Sequence, residues 1–274
     1  MNLTKKRKFD PMYQVFHEVK YKILEFVSGI PELWSLSCTC KQMKEIYGNE
    51  SFSKLLLSRN LNIILKSFDL TMYDLRRMLK LQRGGSVLSG SSILQAYLGE
   101  NWNSSDLDIY VGFKEYQFRG VVDSIMRIVP NCDIVSIKPN PYADMYLHKA
   151  VVEIDRKNGR KIQFIFVDNR DQPKHVRFIV KTFDLTIVQN YFDGERWKAR
   201  FIKHILNRRM EFAQQLTNNR LDIRNVLRIK KYMSRGFMFY KTAKPHFIDP
   251  MAWMYIDDVF TSISENNNNE NSEV

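Results

Sequence analysis

The chain has few cysteines and no long apolar run. Cys38, Cys40 and Cys132 are the only three thiols in 274 residues. Their odd number and lack of zinc-type spacing exclude a disulfide framework and fit a reducing compartment. No apolar stretch approaches the ~20 residues that span a bilayer, so no membrane partner is expected. The start, MNLTKKRKFD, has no apolar segment behind its basic cluster, and does not read as a secretory signal. His17, His148, His175, His204 and His246 show no metal-ligand spacing. Walker, Rossmann and GxSxG patterns are missing, as is any internal repeat. What remains is a cytoplasmic or nuclear protein; Lys5-Lys6-Arg7-Lys8 is a short run of the nuclear-import type.

The chain is rich enough to fold. Hydrophobic residues make up 44% and aromatics 13%, which supports a sizeable core. The net charge of +12 is uneven. Residues 195–244 hold 14 Lys and Arg against 3 Asp and Glu, a net of +11, whereas residues 245–274 hold 6 acids and no Lys or Arg. A segment that basic attracts a polyanion such as nucleic acid in a salt-dependent way. It equally suits a solvated helical surface.

Hydrophobic spacing divides the chain. After a basic tail (1–11), residues 12–58 read as small helices. Phe16, Val19, Ile23, Leu24 and Val27 share one face, Gly29-Ile30-Pro31 breaks the run, and Leu33, Leu36, Cys40, Met43 and Tyr47 form the next stripe. A connecting segment (59–83) contains a helix over 67–82 capped by Ser67 or Thr71. Strand patterns follow at DIVSI, AVVEID and KIQFIFV, the last two joined through Asn158-Gly159, a hairpin signal. A helix is predicted over 114–129 and another around 175–182, before the apolar segment FDLTIVQNYFDG. Residues 195–260 read as basic and largely helical, with Trp197, Phe201, Ile205 and Phe212 at helical spacing and a second helix over 222–234. The Asn- and acid-rich tail, 261–274, reads as disordered.

The most informative stretch is Val87 to Val111, VLSGSSILQAYLGENWNSSDLDIYV. It has the form strand, Gly-Ser turn, helix, second strand. Asp106 and Asp108 lie two apart on that strand and so share a face, where paired carboxylates suit Mg2+ or Mn2+. Gly90, Ser91 and Ser92 present backbone N–H groups and hydroxyls at a helix start, where phosphate binds. Tyr191 and Trp197 suit either base stacking or packing.

This order of elements resembles the nucleotidyltransferase (polymerase-beta-like) superfamily, whose mark is hydrophobic-Gly-Ser, a short helix, then Asp-hydrophobic-Asp-hydrophobic. Fourteen residues separate Ser91 from Asp106, slightly more than the family usually has; Asn103, Ser104 and Ser105 would absorb the excess as a loop. The resemblance implies two divalent cations held by three carboxylates, with Asp106 and Asp108 as catalytic and metal-binding residues and a nucleoside triphosphate as substrate. The third acid should lie on KIQFIFV, where the equivalent position is Gln163, which carries no charge and cannot serve as a base. Glu153, Asp155 and Asp184 are the alternatives. Together with FDLTIV…FDG, the Gln-bearing strand is similar to transferase-fold proteins of fungi and large DNA viruses.

A second resemblance lies upstream. FHEVKYKILEFVSGIPELWSLSCTCKQMKEI looks like an F-box. That would imply docking to the Skp-type adaptor of a cullin ubiquitin ligase, with Phe16, Val19, Ile23, Leu33 and Leu36 as anchors. The same residues are core positions in an ordinary helical hairpin. The expected fold is therefore α+β: an F-box-like N-terminus (12–58), a mixed-sheet nucleotidyltransferase-like domain (84–194) and a basic helical C-terminus. Three functions follow from these parts: an adaptor with a partly degenerate nucleotide-binding domain, an active metal-dependent nucleotidyltransferase, or a non-catalytic nucleic-acid binder acting through residues 195–244.

Overall fold

The computed structural model describes residues 22, 25–39, 50–81, 85–113, 118–129, 134–139, 148–156, 158–168, 175–213 and 223–240. Phe16, Val19, Ile23, the basic run at 5–8 and the tail at 261–274 lie outside them.

Helices α1 (Ile30–Ser37), α2 (Glu50–Lys66) and α3 (Met72–Leu79) come first. β1 (Ser86–Ser89), α4 (Ser91–Leu98) and β2 (Leu107–Phe113) follow, then α5 (Phe118–Ile128), β3 (Ile134–Pro139), β4 (His148–Asp155) and β5 (Lys161–Asp168). The rest comprises α6 (His175–Val180), a 3-10 turn (Thr186–Val188), β6 (Asn190–Phe192), β7 (Trp197–Ala199), α7 (Ile202–Leu206), β8 (Arg209–Met210), α8 (Ile223–Met233) and β9 (Met238–Phe239). Seven strands form one mixed sheet in the order β3-β4-β5-β2-β1-β6-β7, in which β2 and β5 are parallel and every other pair is antiparallel. The predicted α+β class with a mixed sheet is what forms.

Local chemistry sets these boundaries. Thr71 caps α3: its hydroxyl accepts from the Asp74 backbone N–H at 3.2 Å, and the Asp74 carboxylate accepts from the Thr71 N–H at 2.9 Å. In the β4–β5 hairpin Gly159 takes a positive φ of 76° and donates to the Arg156 carbonyl at 2.9 Å. One face of the sheet is largely apolar. Leu88, Leu107, Ile109, Val111, Val152, Ile154, Ile162, Phe164 and Phe166 are fully buried there and share a core with α2, α3 and α4. α4 is buried along its whole length.

The N-terminal helices belong to that same core. Leu33 is 2% exposed within it and Leu36 packs against it. Of the five expected adaptor anchors, Leu33 is therefore closed to a partner by the chain's own packing. α2 runs through residue 58, with Leu57 and Leu61 buried on either side. Gly29 and Gly99 lie backbone to backbone, and a Cβ on either would collide with the other segment.

The stretch from Trp197 to Phe212 departs from its helical spacing. Asp193 accepts from the backbone N–H groups of Glu195 and Arg196 at 3.1 and 2.7 Å, and Gly194 has φ of 96°. That Asp-Gly turn folds β7 back on β6, extending the sheet past residue 194, and Trp197 stacks on Phe192 at 4.5 Å. Turn chemistry overrides the period there; α7 keeps only five residues as helix. The predicted 222–234 helix forms as α8.

Asn60 joins three layers from inside α2, donating to the carbonyls of Ser28 at 2.8 Å and Ala96 at 2.9 Å. Asn60→Ala leaves the buried Ala96 carbonyl without its side-chain donor, while the exposed Ser28 carbonyl keeps Arg59 Nη2 at 3.4 Å; it should cost about 2 kcal/mol, read as a lowered midpoint in urea unfolding.

Candidate functional site

The face of β2 opposite the core carries Asp106, Asp108 and Tyr110. Register fixes their neighbours. Asp108 stands beside Ser89 of β1 on one side and Gln163 of β5 on the other, and Gln163 in turn faces Glu153 of β4. One row across four strands is therefore Ser89, Asp108, Gln163, Glu153. Gly90 closes it: with φ of 78° it turns its Cα toward the acid, so that a Cβ there would lie 3.0 Å from Asp108 Oδ2. Any side chain at 90 would meet the carboxylate and suffer the strained backbone. Ser91 and Ser92 open α4 and are both buried; the Ser92 hydroxyl donates to the Ser89 carbonyl at 3.3 Å, and the Ser91 carbonyl accepts from Gln95 Nε2 at 3.2 Å. Ser89 itself donates to the Asn190 carbonyl. The structure thus brings Gly90, Ser91, Ser92, Asp106 and Asp108 together.

The longer connection between α4 and β2 is held from several directions. Trp102 N–H donates to Gln95 Oε1 at 2.5 Å, and the Arg160 guanidinium donates to Asn101 Oδ1, Asn103 Oδ1 and the Asn103 carbonyl, each at 3.2 Å. Arg160 also bonds Ser67 and lies over the Phe68 ring. The segment 99–105 is a braced loop that delivers Asp106 to the sheet.

Charge is poorly neutralised here. Asp108 has no hydrogen-bond partner among the described residues. Burial, then the charge of Asp106, pushes its carboxyl up to about 6; Lys231 and Arg228 pull the other way. Asp106 is raised too, mainly by burial, with Glu153 adding and Lys231 and Lys161 opposing. Two crowded carboxylates of this kind are suited to a hard cation, which would offset the negative charge that burial leaves costly. Among the described residues no three His, Cys, Asp or Glu side chains converge, so the candidate oxygen donors are the two carboxylates and the amide of Gln163. Gln163 stands beside Asp108 in the sheet. Its Nε2 donates to Glu153 Oε1 at 3.2 Å, leaving Oε1 as the amide's ligating atom. The set fits Mg2+ or Mn2+.

The alternatives to Gln163 sort clearly. Glu153 lies in the same row as Asp108 but two strands away, about 10 Å between backbones, and ion-pairs with Lys161 at 3.5 Å. Asp155 is exposed, 3.9 Å from Lys161. Asp184 is engaged elsewhere: it accepts from Arg228 Nη1 at 2.6 Å, Asn225 Nδ2 at 2.9 Å and the Leu185 N–H at 3.1 Å. Its charge is already met by the Arg228 guanidinium. Trp197 packs between Phe192 and Tyr97, and is not a platform for a base. Tyr191 packs with Val87, Val176 and Val180 in a small cluster beside Tyr110.

The end of the sheet where β2 begins is lined by α8, whose role the sequence concealed within a bulk excess of charge. Arg228, Lys231 and Arg235 recur at i, i+3 and i+7, one side of the helix and the turn after it. Arg235 Nη2 donates to Ser105 Oγ at 3.0 Å and its guanidinium lies 4.2 Å over the Trp102 ring.

Residues 56–208, just over half the chain, match a family profile described as Gabija anti-defense 2 family protein. No curated protein matches. Solved structures with some likeness include a CCA-adding enzyme complexed with ATP (15% identity over 66% of this chain and 42% of that one, TM-score 0.44) and one complexed with CTP (15%, 69% and 43%, 0.45). A Thermotoga maritima CCA-adding enzyme complexed with tRNA is similar at 15% identity, over 68% of this chain and 42% of that one, with a TM-score of 0.44. The chain spans less than half the length of these enzymes, and likeness at that level is too loose to bear on the site.

The raised Asp108 value is also a statement about stability. Its carboxyl ionises at about 6 in the folded chain against 3.8 ordinarily, so the folded state holds the proton more tightly and ionisation opposes folding. The penalty is absent below about pH 4 and complete above about pH 6. Asp108→Asn removes it, and should stabilise the protein at neutral pH by on the order of 2 kcal/mol, a gap that closes toward pH ~4. Urea unfolding across that range checks it; a variant less stable than wild type at neutral pH would mark the carboxylate as a structural group.

Proposed function

The chain belongs to the Gabija anti-defense 2 family, and from that premise we propose that it counters that defence through a nucleotide site of the nucleotidyltransferase type. The site binds a nucleoside triphosphate with a divalent cation and passes the nucleoside monophosphate to a hydroxyl, releasing pyrophosphate. One observation carries this: a carboxylate pair on the sheet face the core does not use, with Gly90 pressed against Asp108 so that a helix start and the acids share one place.

Asp106 and Asp108 would hold Mg2+ or Mn2+, with Gln163 Oε1 as a neutral ligand. When bound, the cation neutralises phosphate charge and polarises the reacting phosphorus. The N–H groups at the start of α4 and the Ser91 and Ser92 positions seat phosphate oxygens. Gln163 cannot take a proton, so the base for the acceptor hydroxyl is assigned to Glu153, the carboxylate in the same row. The Lys161 charge beside it and the Gln163 amide hold it in place.

The adaptor reading finds no comparable support. Three of its five anchors lie outside the described residues, and Leu33 is core. Binding of nucleic acid through the +11 segment is compatible with the site, as a source of the acceptor hydroxyl.

Titrating the four ribonucleoside triphosphates with Mn2+ into the protein should give saturable binding for at least one, weakened at least about tenfold in Asp106→Ala/Asp108→Ala. Undiminished binding in that double variant would overturn the site. Glu153→Gln should keep the binding and lower label transfer from an α-labelled triphosphate by about a hundredfold; unchanged transfer would remove Glu153 from the reaction.

A further inference from the structure

Four cations stand near the acid pair, and three already have neighbours that account for them. Lys161 pairs with Glu153 and Asp155. Arg228 is fixed to Asp184 at 2.6 Å. Arg235 is braced by Ser105 and stacked on Trp102 and Tyr232, although its Nη1, buried, bonds nothing among the described residues. The fourth is Lys231. Its ammonium makes no hydrogen bond or ion pair with any described residue, yet it is close enough for its charge to act on both Asp106 and Asp108. It sits one helical turn before Arg235, on the same side of α8, and it is exposed.

We infer that Lys231, one turn before the Arg235 guanidinium that is tied to Ser105, seats the terminal phosphates of the nucleoside triphosphate and so selects triphosphate over monophosphate. This rests on the nucleotide reading of the acid pair and names the wall that completes it. The geometry is that of a split site. The carboxylates and the α4 start form one side, and α8, tied to the residue just before Asp106, forms the other. A cation held by the acids and a lysine facing them leave a gap lined by positive charge on both sides, suited to a polyphosphate chain. An ammonium is a point charge with three rotatable donors, which matches phosphate oxygens whose orientation it need not dictate. Lys231 lies beyond the residues matched by the family profile, 56–208.

Lys230 is the control, since it is the adjacent residue, is exposed, and is not among the charges acting on the carboxylates. Affinities of the four ribonucleoside triphosphates, the matching monophosphates and inorganic tripolyphosphate, each with Mn2+, would be measured for wild type, Lys231→Gln and Lys230→Gln. Lys231→Gln should lose about tenfold in triphosphate and tripolyphosphate affinity, the scale of one charge-assisted hydrogen bond. It should keep monophosphate affinity within about twofold, and Lys230→Gln should match wild type. Triphosphate binding that survives Lys231→Gln, or falls equally in both variants, overturns the inference while leaving the nucleotide site standing. Wild type that binds no nucleotide and no tripolyphosphate overturns both.

Discussion

Period-two alternation along β2 is the constraint on which the rest depends. Leu107, Ile109 and Val111 are fully buried, and because strand side chains alternate, burying them forces Asp106, Asp108 and Tyr110 to the other face. A slip of one residue would place two carboxylates in the apolar core, at a cost the fold could not absorb. The core therefore fixes the register, and the register fixes the acids. The pairing of Asp108 with Ser89 and with Gln163 follows from it, as does the nearness of Gly90. A site that opposes folding through its charge is held by a core that leaves it no alternative position.

Much of this was legible in the sequence, and the exceptions have physical reasons. The strand–turn–helix–strand order around Gly90, the shared face of Asp106 and Asp108, the Asn158-Gly159 hairpin and the Thr71 cap were all readable because each rests on a local rule. Trp197 was misassigned because helical spacing and a strand flanked by an Asp-Gly turn give the same short apolar pattern. The role of Lys231 was hidden because only the fold brings residue 231 to residue 106. Leu33 could be read as an anchor or as core, and the packing against α2 and α4 decided for core.

In the row Asp108, Gln163, Glu153 a carboxylate stands one strand beyond the neutral neighbour of Asp108. A glutamine beside Asp108 avoids a third like charge where burial and Asp106 already push that carboxyl upward. Its amide then passes a hydrogen bond to Glu153, where Lys161 offsets the negative charge. The arrangement relieves repulsion at the centre.

The close approach of Gly29 to Gly99, together with a second helix that runs unbroken past residue 58, bears on how such a chain can change over generations. Recombination that joined a foreign N-terminal segment at that point would cut α2 between Leu57 and Leu61 and would bring new side chains against the backbone of Leu98. The helical layer and the sheet therefore have no seam between them at which a new segment could be joined without rebuilding the core.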